Sequence, residues 1–398
     1  MFFKISKSTD NSYPQNHKLV NNTFFNCDLG WTKTEHNGFI MFFKGYIFED
    51  ISQQQLLEDI LVDPTPKHKG NFFAILSLPA FAGAIAGHEV VISHSVNRGS
   101  PLQYTQNECV SNLPQDMTMV YADKYVKIGD NLTVSVVEYS PLSELTELNG
   151  YEAVLEKVDS IICNTFEDFL TRNIRPLKFF FSGGIDTLTL YSYLTKFTKD
   201  FEFVDYEYVK FTHFWCNNEK QIKNHWCYTQ MHSWGDLPTA LVTGGCGDEY
   251  LLRGPKTISL LMQHYNIDIL DLLQQNTSAY HYKYFYKDVN AEIFNTTVDI
   301  DVTDKQKVVK YILDILLNDH QHWGIDETLF VSPFANIDIP SIMLNYLPKE
   351  NLINQVLDAQ FNKDLIKMNN PDNLRFLSPY KNYDNPLSMS WSLHNARL

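Results

Sequence analysis

Hydrophobic positions in residues 1–140 fall in short runs, among them Phe39 to Phe48, Asn71 to Leu78, Glu89 to His94 and Leu132 to Val137. Gly, Asn or Pro separates the runs, which predicts β-strands joined by turns, with few helices. The expectation is an antiparallel, sandwich-like α+β domain. Residues near 141–150 are polar and turn-rich and mark a boundary. From Tyr151 the period changes: Val154, Val158, Ile161, Ile162, Phe166 and Phe169 follow helical spacing. Strand and helix then alternate to about residue 255, the pattern of a parallel α/β sheet. The remainder reads as mostly helical, with Leu-rich periodic segments at 258–273 and 305–317. No repeat or low-complexity block is visible. The pattern predicts two domains, 1–145 and 150–398.

The candidate chemistry lies where this pattern passes from strand to helix. Phe179-Phe180-Phe181-Ser182-Gly183-Gly184-Ile185-Asp186-Thr187 is an apolar run that ends in a glycine turn, and Leu188 to Leu194 continues as a helix. Two glycines permit positive φ and close approach of a ligand to the backbone. Such a turn aims N–H groups and a helix N-terminus at one point, which suits a phosphate. Asp186 stands where it would hold magnesium on that phosphate. The stretch resembles the pyrophosphate-binding loop of the ATP pyrophosphatases (the PP-loop), Ser-Gly-Gly-x-Asp-Ser, with Thr187 keeping the last hydroxyl.

Leu241-Val242-Thr243-Gly244-Gly245-Cys246-Gly247-Asp248-Glu249 repeats the pattern and ends in two acids. Turns of this kind gather at the carboxyl ends of parallel strands, so Asp248 and Asp186 are expected to face one magnesium–pyrophosphate group. The stretch is similar to the Ser-Gly-Glu-Gly-Ser-Asp-Glu segment of the asparagine synthetase family, with Gly245 in the place of its first Glu. Val331-Ser332-Pro333-Phe334-Ala335-Asn336 resembles that family's Val-Pro-Phe-Leu-Asp, with Asn336 in the Asp place. The tail from Lys363 to Lys381 resembles its Lys-x-x-Leu-Arg followed by a Pro and a late lysine. The resemblance implies ATP on Phe181, Ser182, Gly183, Gly184, Asp186, Thr187, Thr243 and Gly244, with magnesium on Asp186 and Asp248.

The first domain also resembles part of that family, the Ntn-hydrolase-like glutaminase built on two stacked sheets. Gly70-Asn71-Phe72-Phe73-Ala74-Ile75 is similar to its Gly-Asp-Phe-Ala-Phe. Ser95 to Tyr104 is similar to its Asp-Arg-x-Gly-x-Arg-Pro-Leu-Tyr-Tyr. The departures bear on chemistry. Such glutaminases use a cysteine as the first residue after Met1, so that nucleophile and base share one residue. This chain has Phe2, and its nearest cysteine is Cys27. Lys44 and Tyr46 replace the Asn and Glu of Asn-Gly-Glu. The domain is therefore expected to be a degenerate glutaminase that releases no ammonia, as in relatives such as β-lactam synthetases and lasso-peptide cyclases.

Composition narrows the classes. At 398 residues, with 44% hydrophobic and 14% aromatic content, the chain has material for two substantial cores. A formal charge of −15 argues against a broad nucleic-acid surface. No run approaches the roughly 18–20 apolar residues of a membrane span, and the start is too short for a signal peptide. Six scattered cysteines form no CxxC pair, which suits a reducing compartment; the expected location is cytoplasmic. His213, Cys216, His225, Cys227 and His232 fit no standard zinc spacing and read as a packed aromatic segment, with Trp215 and Trp226 interleaved.

The resemblance implies an ATP-dependent, AMP-forming ligase that adenylates a small-molecule or peptide carboxylate and transfers it to an amine. Lys381 is the candidate cation for the acyl-transfer step, with Lys363 and Lys367 as alternatives. Glu249 is the candidate base or amine-positioning group. Two rivals stand beside this reading: a PP-loop enzyme that modifies nucleotides, and a non-catalytic ATP-binding scaffold. The 62 positions between Asp186 and Asp248 are fewer than the family usually has, and with Gly245 and Asn336 also changed this keeps the scaffold reading open. The acid and the amine stay open, because acceptor pockets are set by scattered side chains.

Overall fold

The computed structural model describes residues 3–47, 49–79, 88–95, 102–111, 117–121, 123–140, 147–173, 175–180, 184–204, 240–245, 247–253, 260–261, 263, 265–266, 300–301, 303–319 and 329–376. They fall in two compact units, one with the described residues of Met1–Pro141 and Leu316–Phe330 and the other with those of Leu142–Tyr208, Ala240–Ile315 and Val331–Leu398.

The first unit contains β1 (Phe3–Ser6), β2 (Gln15–Lys18), β3 (Phe24–Cys27), β4 (Thr32–His36), β5 (Phe39–Ile47), helix α1 (Gln53–Val62), β6 (Gly70–Leu78), β7 (Glu89–His94), β8 (Gln103–Thr105), β9 (Cys109–Ser111), β10 (Thr118–Met119), β11 (Lys124–Ile128) and β12 (Val134–Glu138). The strands make two six-stranded sheets, ordered β10-β8-β9-β1-β3-β2 and β12-β11-β7-β6-β5-β4. Neighbouring strands pair antiparallel in both sheets, as the short-run pattern predicts.

Alternation along the strands decides what each face buries. Phe42, Phe73 and Ile75 join Phe3, Ile5 and Phe25 of the other sheet in one core. Their neighbours Met41, Phe43, Phe72, Ala74 and Leu76 pack instead with Leu56, Leu57 and Ile60 of α1. Phe3 meets Phe73 edge-on at 5.2 Å, and Phe25 meets Phe42 at 5.1 Å, so aromatic pairs join the sheets.

The last expected strand begins two residues late. Asp130–Leu132 forms a 3-10 turn, in which Asn131 and Leu132 take φ of +56° and +61°. Leu132 is fully buried, and that burial holds a leucine in a conformation its Cβ disfavours.

Gly70 opens β6 with φ +147°, and a Cβ there would lie 2.2 Å from the Tyr46 carbonyl oxygen of β5. Gly70→Ala is therefore expected to destabilise the first unit by about 1–3 kcal/mol. Denaturant unfolding of the purified variant measures this, and an unchanged midpoint would refute it.

The second unit contains α2 (Gly150–Arg172), β13 (Leu177–Phe180), α3 (Ile185–Phe197), β14 (Glu202–Val204), β15 (Ala240–Val242), α4 (Gly247–Tyr250), the start of α5 (Lys305–Asp319) as far as Ile315, the last residue of β16 (Leu329–Val331), α6 (Asp338–Tyr346), α7 (Lys349–Asp358) and α8 (Gln360–Asn369). Its sheet is ordered β14-β13-β15-β16, and β13 runs parallel to both β14 and β15. On α2 the expected stripe is buried at Val154, Val158, Ile162, Phe166 and Phe169, with Leu155 and Thr165 beside it; Ile161 is only half-buried. Phe166 stacks on Tyr193 at 6.2 Å, which fixes α2 against α3. Most of the segment 258–273 lies outside the described residues. The fold class is thus mixed α/β, with antiparallel sheets, a small parallel sheet and helices. No helix among the described residues is long and apolar enough to cross a membrane.

Candidate functional site

Because β13 and β15 are parallel neighbours, the turns that follow them leave the sheet at the same edge. Phe181, Ser182 and Gly183 lie outside the described residues. Gly184 caps α3 in extended conformation (φ −78°, ψ 162°), and its carbonyl accepts the helix bond from Leu188 N. Asp186 sits in the first turn of α3, where the helix dipole favours an anion. The Thr187 hydroxyl donates to Gly184 O at 2.9 Å, so in this structure it ties its own turn.

The second turn folds on itself. Gly245 N donates to Thr243 Oγ1 at 2.9 Å, and Gly247 N donates to Gly244 O at 3.1 Å. It also presses against the first turn. A Cβ on Gly244 would lie 2.8 Å from Thr187 Cγ2, and one on Gly247 would lie 2.7 Å from Asp186 Cβ and Cγ. These glycines let the two motifs touch. The third segment joins them: Thr243 N donates to Val331 O at 3.0 Å, and the Ser332 hydroxyl donates to Gly245 O. Asn336 is buried, and its Oδ1 accepts from Asp338 N at 3.0 Å, so it secures the entry to α6.

Asp186 and Asp248 converge on one cation, Arg253, which is 1% exposed. Arg253 Nη1 donates to Asp186 Oδ1 at 2.9 Å, and Nη2 lies 3.1 Å from Asp248 Oδ1. The second contact is an ion pair without hydrogen-bond alignment, because Asp248 Oδ1 is buried yet accepts no hydrogen bond. Asn362 Nδ2 also donates to Asp186 Oδ1, at 3.0 Å, and Gln355 Nε2 donates to Asn362 Oδ1 at 2.7 Å. Burial, then the Asp186 carboxylate, push the Asp248 carboxyl above the usual carboxylate range, against the pull of Arg253. The Asp248 side chain as a whole keeps 41% exposure, and that water tempers the shift.

Sequence reasoning missed Arg253, Asn362 and Gln355. The available signal was an arginine directly after Leu251 and Leu252. A charge inside an apolar stretch needs a partner, and the nearest acids were already in view.

Among the described residues, no group of three or more His, Cys, Asp or Glu could hold a metal. A protein-only metal cage is therefore not present there. Two hard carboxylates, one with a buried oxygen lacking a hydrogen bond, fit a magnesium that arrives on phosphates, since magnesium commonly takes one or two carboxylates plus substrate oxygens.

Glu249 follows Asp248 in α4 and is half-buried. Lys381 lies outside the described residues. Lys363 pairs with Asp358 of α7 at 2.6 Å, and Lys367 with Asp364 within α8 at 2.6 Å, so both alternative lysines are engaged in ion pairs. The segment with His213, Cys216, His225, Cys227 and His232 is outside the described residues, as are Phe2 and Cys246.

In the first unit, Cys27 is fully buried. Burial and the Asp28 charge push its thiol up to about 12, with Lys44 opposing. Lys44 is itself buried, donating to Asp28 Oδ2 at 2.8 Å and to Leu29 O. Trp31 Nε1 donates to the other Asp28 oxygen at 2.8 Å.

No protein-family model matches this chain, and no curated protein matches it.

Proposed function

We propose that the chain is an ATP-dependent, AMP-forming ligase of the asparagine synthetase type, adenylating a carboxylate and passing the acyl group to an amine. The observation that carries this reading is the meeting of the two glycine turns, Gly244 on Thr187 and Gly247 on Asp186, at one edge of the parallel sheet. In this reading the second unit is a PP-loop domain. The start of α3 and the preceding turn receive the phosphates, and Asp186 and Asp248 hold magnesium. The metal supplies charge neutralisation of the pyrophosphate leaving group. Glu249, next to Asp248, positions the amine or takes its proton. Lys381 offsets the negative charge that develops in acyl transfer.

The first unit, in the same reading, is a glutaminase-like sandwich without glutaminase chemistry. Its strand-borne thiol, Cys27, is buried and held protonated, which removes the thiolate that would be the nucleophile. By the resemblance, Lys44 stands in the place of the Asn of Asn-Gly-Glu, and it is tied up in a pair with Asp28.

One observation favours the scaffold reading: Arg253 already lies on both acids. Product analysis separates the two. With ATP, magnesium and a pooled set of carboxylates and amines, the ligase yields AMP and pyrophosphate and releases no glutamate from added glutamine. ADP and phosphate as products, or free glutamate, would refute it. No turnover together with tight ATP binding would establish the scaffold.

A further inference from the structure

The acid pair has a resident cation. Arg253 is 1% exposed, Asp186 14% and Asp248 41%, so exposure rises outward from the guanidinium. The arginine backs the pair from the inside and engages Oδ1 of each acid. Asn362, Gln355 and Thr189, which also bond within this network, are neutral side chains. The Arg253 guanidinium thus opposes the negative charge that the two acids carry when ionised. A bare divalent cation meets a weakened field there, while a polyphosphate meets less repulsion than two unbalanced acids would give.

We propose that Arg253 determines specificity at this site: it sets the acid pair to accept a divalent cation as a metal–polyphosphate complex and to disfavour the bare ion. The inference rests on the reading of Asp186 and Asp248 as the metal–phosphate acids. A second observation supports it. Among the described residues no third His, Cys, Asp or Glu joins the pair to complete a cage, and an ion held by one or two carboxylates commonly takes substrate phosphate oxygens and water for the rest.

A clamp with a purely structural role makes a different prediction. If Arg253 only tied the turns together, its loss would weaken every ligand alike. Its charge acts with opposite sign on the two ligands. The full-length chain and its Arg253→Met variant would be titrated with manganese alone, with ATP alone in EDTA, and with both together. Bare manganese is expected to bind the variant about tenfold or more tightly than the wild type, and metal-free ATP about tenfold more weakly, after screening by salt. Arg253→Lys, which keeps the charge, should remain near the wild type in both. If Arg253→Met does not fold, Arg253→Gln keeps hydrogen-bond donors without the charge and serves the same comparison.

Both affinities falling together would overturn the proposal in favour of a clamp. Neither affinity moving would also overturn it. If the wild type binds manganese–ATP but holds bare manganese as tightly as the variant does, the inference fails and the functional reading survives. If the wild type does not bind manganese–ATP, both fall.

Discussion

Asp186→Ala is expected to abolish magnesium-dependent ATP binding and turnover. Asp186 opens α3 directly after the glycine turn, lies against Gly247, and shares Arg253 with Asp248. Its removal takes away one of the two carboxylates that would face the metal. It also leaves the buried Arg253 with one acid fewer, and breaking such a pair costs about 3–5 kcal/mol. An alanine variant alone would therefore mix binding with folding. Asp186→Asn separates them, because an amide oxygen can still accept from Arg253 and Asn362 while the charge is gone. The asparagine variant should stay folded and still lose magnesium–ATP binding by about 10²-fold or more, as loss of a preorganised charge does. Isothermal titration with a non-hydrolysable ATP analogue, beside a thermal melt, measures both. A folded asparagine variant with wild-type affinity would remove the basis of the ATP site.

Lys381→Met is expected to leave ATP binding nearly intact and to cut turnover by about 10²-fold or more, because a cation needed in the acyl-transfer step acts on kcat. The motivation is its place after Pro379 in the late tail, where the family that the motifs resemble brings a lysine back to the nucleotide. The alternative lysines make a useful contrast. Lys363 and Lys367 already neutralise Asp358 and Asp364, and exposed pairs of this kind contribute little. Their methionine variants should therefore change turnover by less. Wild-type turnover in Lys381→Met would discard that residue's role and leave the Asp186 site standing, because the two rest on separate motifs.

Local periodicity made much of the fold legible. Phe39–Ile47 and Gly70–Leu78 alternate because a strand shows its side chains to opposite faces, and each face found its own core. The stripe from Val154 to Phe169 marked α2 for the same kind of reason, at helical period. Both signals lie within a few residues of chain, where sequence is read directly. The glycine turns were also visible, since their spacing after an apolar run is a local pattern.

Position along the chain carries no such information about partners. Leu132 extends an apolar run, and only the surrounding core holds it in a left-handed turn. Gly70 is one glycine among 17 until β5 is seen to pass 2.2 Å from the Cβ it lacks. Gly244 and Gly247 read as parts of a phosphate turn, and the structure adds that they make room for Thr187 and Asp186. Arg253 is the clearest case. The sequence by itself determined that two acids follow two glycine turns; the tertiary structure decided that a buried arginine stands behind both. Helix and strand follow from contacts a few residues apart, whereas the meeting of Asp186, Asp248, Arg253 and Asn362 depends on how the sheet orders its strands and how α8 packs on α3.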